Sequence, residues 1–171
     1  MIPYIQYFQQ RLAKNVCIML SKAAQNFVNK YSLELITRKK VWTDLYEFDD
    51  EKRVPHTQLP AKADLFLIMP ATANIIGKAG NGIADDLIST SILASNIPFV
   101  FAPSMNKVML LNRAFQDNVK KVKKYGYYII EPSEGIEVGT STGSKINGDV
   151  YLRRSGSFSN GTGKHRRGLS I

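Results

Sequence analysis

Leu65-Phe66-Leu67-Ile68-Met69-Pro70-Ala71-Thr72-Ala73-Asn74 is an apolar run that ends in a proline, small residues and an Asn. A short continuous apolar run bounded by turn residues reads as a strand buried on both faces. The pattern recurs at Phe99-Val100-Phe101, which leads into Ala102-Pro103-Ser104-Met105-Asn106. After each turn the chain takes on a helical pattern. Two strand ends, each releasing a small-residue turn and an Asn, are what an open α/β sheet presents to a ligand at its carboxyl edge.

The flanking sequence continues the alternation. Strands are predicted near 15–20, 64–69, 98–102 and 127–131. Ile5, Phe8 and Leu12 predict an amphipathic helix over 3–13, with Pro3 in its first turn. Ser21 is placed as the cap of a helix running to Lys30, with Ala24, Phe27 and Val28 inward. Further helices are predicted over 85–95, with acids in the first turn, and over 112–125, closed by Gly126. Residues 44–55 read as a polar loop and 133–148 as a Gly/Ser/Thr-rich one. Strands alternating with helices imply a parallel sheet covered on both faces, a flavodoxin-like three-layer α/β sandwich. Such a domain normally begins with a strand whose turn holds a phosphate at a helix N-terminus. This chain opens on a helix, so the sheet reads as lacking that first strand.

At 171 residues and 44% hydrophobic content, the chain is sized for one domain that buries roughly 70% of its unfolded surface. The domain is placed at 1–150, with a basic, disordered tail at 151–171. No apolar run approaches the roughly 20 residues of a membrane helix. Met1-Ile2-Pro3-Tyr4 lacks the charged start and apolar core of a signal peptide. The expectation is a cytoplasmic protein with no membrane partner. A single cysteine, Cys17, excludes an intrachain disulfide and a cysteine metal cluster, and no metal site is expected. The formal net charge is +9. Arg153, Arg154, Lys164, Arg166 and Arg167 concentrate charge in the tail, which has no acid. Such a tail can meet nucleic acid or an acidic surface; the Gly and Ser around it favour a solvated end, and nucleic acid is not the expected partner.

His56, in Val54-Pro55-His56-Thr57, precedes the strand at 64–69 and can be either an ordinary residue or a proton shuttle at the same sheet edge. Asn74 and Asn106 each bring one acceptor and two donors. They suit a flavin ring edge and a substrate carboxylate, or simply cap the next helix. Thr72 and its neighbouring amides can hold a polar ring edge or a phosphate. Asp85-Asp86 point apart on a helix, which favours a helix start or a subunit contact over a paired-carboxylate site. Walker A, HExxH, GxSxG and CxxC patterns are absent.

Four strings together carry a resemblance. Pro55-His56-Thr57-Gln58-Leu59, Pro70-Ala71-Thr72-Ala73-Asn74-Ile75, Asn81-Gly82-Ile83-Ala84-Asp85-Asp86-Leu87 and Pro103-Ser104-Met105-Asn106-Lys107-Val108-Met109-Leu110 fall in order across 3–131. They resemble the P-H-x-x-L, P-A-S-A-N-T, N-G-I-x-D-(D/N)-L and P-x-M-N-x-x-M-W motifs of the homo-oligomeric flavin-containing cysteine decarboxylases. The resemblance implies FMN as cofactor, a catalytic role for His56, and a substrate-carboxylate contact for Asn106 beside Met105. It places Ser21, Pro70, Thr72, Ala73, Asn74 and Ala102 against FMN, and it implies a homotrimer or a multiple of trimers. The family's G-x-T-G-S phosphate turn has no counterpart here; Ile75 stands in place of Thr and Leu110 in place of Trp. The basic tail stands where the family has a C-terminal helix.

The implied chemistry is oxidative decarboxylation. Two electrons and two protons leave the Cα/Cβ–S unit of a cysteine, and the thioaldehyde so formed lets the neighbouring carboxylate depart as CO₂. Asn106 holds the carboxylate, His56 handles the proton, and a loop at 135–148 folds over the substrate. In the branch that serves coenzyme A synthesis, a Cys in a late loop donates the proton when the reduced flavin returns the enethiol to a saturated thiol. The matching stretch, 131–139, has none. The expected substrate is therefore a precursor peptide with a C-terminal Cys, as in the epidermin-type lantibiotic branch. A phosphopantothenoylcysteine decarboxylase and a non-catalytic FMN-fold subunit remain as alternatives, and a flavin prenyltransferase is disfavoured by the P-x-M-N string.

Overall fold

The computed structural model describes residues 2–48, 54–136 and 145–149, the strands after residue 132 by their backbone alone. The tail at 151–171 and the loop centre at 137–144 lie outside the described residues. Two compact units emerge: residues 1–63 with 84–96, and 64–83 with 97–171. Each contains a parallel sheet with helices, the α/β class the alternation predicts.

In the first unit α1 (Ile2–Arg11) leads to β1 (Ile18–Met19), which pairs in parallel with β2 (Val41–Trp42). Between the strands lie a 3₁₀ turn (Ala24–Asn26) and α2 (Lys30–Thr37). The expected helix over 21–30 is thus replaced. Ser21 Oγ accepts the Ala24 N–H at 3.1 Å and starts only the short turn. Asn29 then accepts from the backbone N–H groups of Tyr31 and Ser32 and launches a new helix. Ala24 and Val28 still pack against the core of Ile5, Leu20, Leu33 and Val41. Phe27, placed inward by its spacing, is 88% exposed.

Residues 44–48 and 54 form no helix or strand, as the polar stretch predicts, and α3 (Pro55–Ala61) follows with Pro55 in its first turn. The predicted helix over 85–95 starts later, as α5 (Leu87–Leu93). Asp86 accepts the Ser89 N–H at 2.8 Å, and Ser89 Oγ accepts from the Asp86 backbone in return. Leu87 and Ile92 are buried, and the Ser91 hydroxyl is turned back onto Leu87 O.

The second unit holds β3 (Phe66–Ala71), β4 (Phe99–Pro103) and β5 (Tyr128–Ile129) in a parallel sheet of order β3-β4-β5. Phe66 stacks on Phe99 with centroids 4.9 Å apart, and Tyr127 meets the edge of Phe99 at 5.6 Å. All five residues of β4 are buried, as a central parallel strand requires. Helix α4 (Ala73–Asn81) follows β3; α6 (Lys107–Leu111) and α7 (Arg113–Lys124) follow β4. Asn112 caps α7, and Gly126, at φ +88°, turns the chain out of it. The Gly/Ser/Thr-rich stretch read as a loop contributes an antiparallel hairpin, β6 (Ser133–Ile136) with β7 (Lys145–Asp149).

Candidate functional site

The two strand ends singled out in the sequence do meet. Ala71 at the end of β3 pairs with Pro103 at the end of β4, and the Ser104 N–H donates to Ala71 O at 3.1 Å. The turns 70–74 and 102–106 therefore leave the same sheet edge side by side. The register shift between Ile68 and Ala71 accompanies a cis Met69–Pro70 bond. Pro70 is exposed, whereas Ala102 is fully buried in β4.

Thr72, in an extended conformation, caps α4: its Oγ1 accepts the Ile75 N–H and its carbonyl the Ile76 N–H. The helix ladder begins there, so the N–H groups of Ala73 and Asn74 lie outside it. Asn74 was open to two readings, cap or ligand. The cap belongs to Thr72, and the exposed Asn74 amide stands in the first turn. Asn106 resolves differently. It caps α6, its Oδ1 accepting the Met109 N–H at 2.8 Å. That bond fixes the amide and leaves the two Nδ2 donors for a partner outside the helix. Met105, half-buried, sits beside it.

Ser21 and His56 belong to the other unit. The Ser21 oxygen accepts from Ala24, and its hydroxyl proton is still available to donate. His56 is half-buried in the first turn of α3, and its Nδ1 is buried without a hydrogen-bond partner. Thr90 Oγ1 on the neighbouring α5 is in the same condition. A buried polar atom left unmatched costs about 1–3 kcal/mol.

The donor set at the paired turns fits a flavin. The Thr72 hydroxyl, two backbone N–H groups and the Asn74 amide offer donors and acceptors in a short span, as the mixed polar edge of a flavin ring requires. The buried, rigid β4 backs these turns. Asp85 and Asp86 serve the start of α5: Asp86 caps it, and Ser89 Oγ lies 3.4 Å from Asp85 Oδ1. Among the described residues no cluster of three or more His, Cys, Asp or Glu could hold a metal, and no helix is long and apolar enough to cross a membrane. Cys17 is exposed, with the Lys39 ammonium 4.0 Å from its sulfur.

Away from the turns, one carboxylate organises the loop after β2. Glu47 takes ammonium contacts from Lys30 and Lys40 at 3.2 Å each and the Thr43 N–H at 3.1 Å. Partial burial pushes its pKa up, but these three donors outweigh burial and hold it below the ordinary value. Lys40 also lies 4.1 Å from the Trp42 ring centroid.

Sequence reasoning left one group unread: Asn81, Asn118 and Lys121, joined where α4 and α7 cross. Gly77 and Gly80, three apart on α4, were the available signal, since two small residues on one helix face admit a close neighbour.

Comparison with known proteins accounts for the motif pattern. The model of the family described as Flavoprotein matches residues 2–148. The chain is 38% identical over 132 residues to the coenzyme A biosynthesis bifunctional protein CoaBC of Borreliella burgdorferi, covering 77% of this chain and 34% of that protein. It thus spans about a third of the length of such bifunctional relatives. It is 31% identical over 142 residues to a probable phosphopantothenoylcysteine decarboxylase of Streptococcus mutans, covering 82% of this chain and 79% of the other. Among solved structures, the FMN-dependent cysteine decarboxylase SpaF superposes with a TM-score of 0.73 at 32% identity, covering 78% and 77% of the two chains. An EpiD variant complexed with the substrate peptide DSYTC gives 0.73 at 25% identity, covering 87% and 84%.

Proposed function

Because the chain belongs to the Flavoprotein family, we propose that it is an FMN-dependent decarboxylase acting on the cysteine carboxyl end of a precursor peptide. The observation that carries this reading is the state of Asn106. Its Oδ1 is committed to the Met109 N–H, so what it offers a ligand is a pair of donors, the match for a carboxylate.

Bound FMN would supply the two-electron acceptor. Thr72, Ala73 and Asn74 would hold its ring edge, with Ser21, Pro70 and the Ala102 backbone as further contacts. Asn106, beside Met105, would fix the carboxylate in the orientation from which CO₂ departs. His56 would take and return the proton. Its buried Nδ1 leaves Nε2 as the nitrogen for that exchange.

The absence of Cys from 131–139 supports a product that stays at the enethiol. The similarity to SpaF and to EpiD with its bound peptide supports a peptide substrate. A second reading, decarboxylation of phosphopantothenoylcysteine, is favoured by the names of the bifunctional and Streptococcus relatives. The assembly proposed is a homotrimer or a multiple of it.

The test is incubation with FMN and a peptide ending in Cys, read by mass spectrometry. Loss of CO₂ and two hydrogens, about 46 Da, is the expected result. His56→Asn should abolish the product while the protein keeps its flavin colour. Clean conversion of phosphopantothenoylcysteine to phosphopantetheine would instead sink the peptide reading.

A further inference from the structure

Asn81 is the last residue of α4 and is exposed, yet its side chain makes three hydrogen bonds. Nδ2 donates to Gly77 O at 2.8 Å and to Asn118 Oδ1 at 3.0 Å; Oδ1 accepts from Lys121 Nζ at 2.7 Å. Asn118 and Lys121 lie three residues apart on α7 and so share a face. The helices come this close because position 80 is glycine. A Cβ there would lie 3.3 Å from the backbone oxygen of Asn118. Gly82, at φ +67°, ends α4 immediately afterwards.

Helix α4 is thereby tied at both ends. Its start is held by the Thr72 cap at the end of β3, and its finish by the Asn81 latch to α7. A nine-residue helix is a stiff rod roughly 13 Å long. Fixing its far end therefore sets the direction in which its first turn presents the Ala73 and Asn74 N–H groups and the Asn74 amide. Hydrogen bonds among exposed side chains replace bonds to water and add at most about 1 kcal/mol each. Stability therefore does not account for three of them on one surface amide. Aim does.

We propose that Lys121 and Asn118, acting through Asn81, are positioning residues that orient the first turn of α4 for FMN. This rests on the reading of Thr72, Ala73 and Asn74 as the flavin contacts. It gives a role to the Asn81-Gly82 string, which the proposed chemistry does not otherwise use.

The experiment measures FMN affinity by flavin fluorescence, hydrogen exchange of the α4 amides, and thermal melting. Wild-type protein comes first. A wild type that takes up no FMN overturns the functional reading itself, whereas uptake lets the latch be judged alone. Lys121→Met keeps the length of the side chain and removes its donors; Asn118→Ala removes the other contact. Each should raise the Kd for FMN about fivefold, the worth of one hydrogen bond. Exchange over 73–81 should quicken, with the melting temperature unchanged, and Lys121→Arg should restore binding. Unchanged FMN affinity in both variants, or a loss that Lys121→Arg does not restore, overturns the proposal.

Discussion

Asn106→Asp separates the two tasks that meet in one side chain. Asp is as good an N-cap as Asn, so the bond to the Met109 N–H survives and thermal stability should stay within about 0.5 kcal/mol. The two Nδ2 donors are lost, and a negative charge replaces them where a substrate carboxylate would bind. Turnover of a Cys-terminated peptide should therefore stop while the melting curve and flavin colour persist. Asn106→Ala should in addition cost about 1 kcal/mol of stability, through loss of the cap. Activity in the Asp variant within a factor of about three of wild type would remove Asn106 from the chemistry. The sequence left Asn74 and Asn106 under the same pair of readings because caps and ligand-binding amides use the same atoms. Only the backbone decides. Thr72, two residues ahead of Asn74, takes the helix N–H, and Asn106 has no such competitor.

At the scale of elements, the α4–α7 crossing turns two similar glycines into opposite predictions. Replacing a helical Gly by Ala gains about 0.5–1 kcal/mol when space allows. At Gly77 the added Cβ would meet Asn118 Nδ2 at an ordinary 3.6 Å, so Gly77→Ala should stabilise. At Gly80 it would press on the Asn118 backbone oxygen at 3.3 Å, and backbone yields less than a side-chain tip. Gly80→Ala should lose that gain and cost about 1 kcal/mol instead. Denaturant midpoints for the pair measure the difference directly.

The Glu47 clamp gives a pH-dependent counterpart. Its pKa is held below the ordinary 4.5 in the folded protein. The stability it adds is complete above the unfolded value and lost as pH falls through the folded one. Glu47→Gln should be less stable than wild type by about 0.5–1 kcal/mol at pH 7, a figure discounted for solvent screening. The gap should close as the pH drops below 4.5. A gap that persists in acid would mean that packing, not charge, is what Gln fails to supply.

The same scale shows where the sequence was legible. The sheet β3-β4-β5 was readable because long apolar runs are visible as such. Strand β2, Val41-Trp42, stands between Lys39-Lys40 and Thr43-Asp44, so no apolar run marks it as the runs around β1 and β5 mark those strands. Helix α2 was hidden because Ala24, Phe27 and Val28 have helical spacing, while the deciding event is the Asn29 side chain capturing two N–H groups further on. The β6–β7 hairpin, SEGI against KINGD, shows no apolar alternation and pairs through backbone rather than through a side-chain pattern.

For the whole molecule, the question is which surface would meet a second copy. On α5, Leu87 and Ile92 are buried. The exposed apolar side chains lie elsewhere. Tyr31 and Leu35, one turn apart on α2, are 73% and 69% exposed, and Phe27 just ahead of the helix is 88% exposed. Single exposed hydrophobics are ordinary, whereas large neighbouring ones mark a surface with a partner. The homo-oligomer proposed above would supply one. On that argument light scattering should give a mass of three times 19.2 kDa or a multiple of it. Leu35→Asp leaves every buried contact of α2 in place, so the chain should fold as before. Burying an unpaired charge in an interface costs several kcal/mol, enough to drive the protein to monomer at micromolar concentration. An Asp variant that keeps the wild-type mass would show that this face of α2 stays in water, and the search for the subunit contact would pass to Val108 and Leu111, which are 81% and 62% exposed on α6.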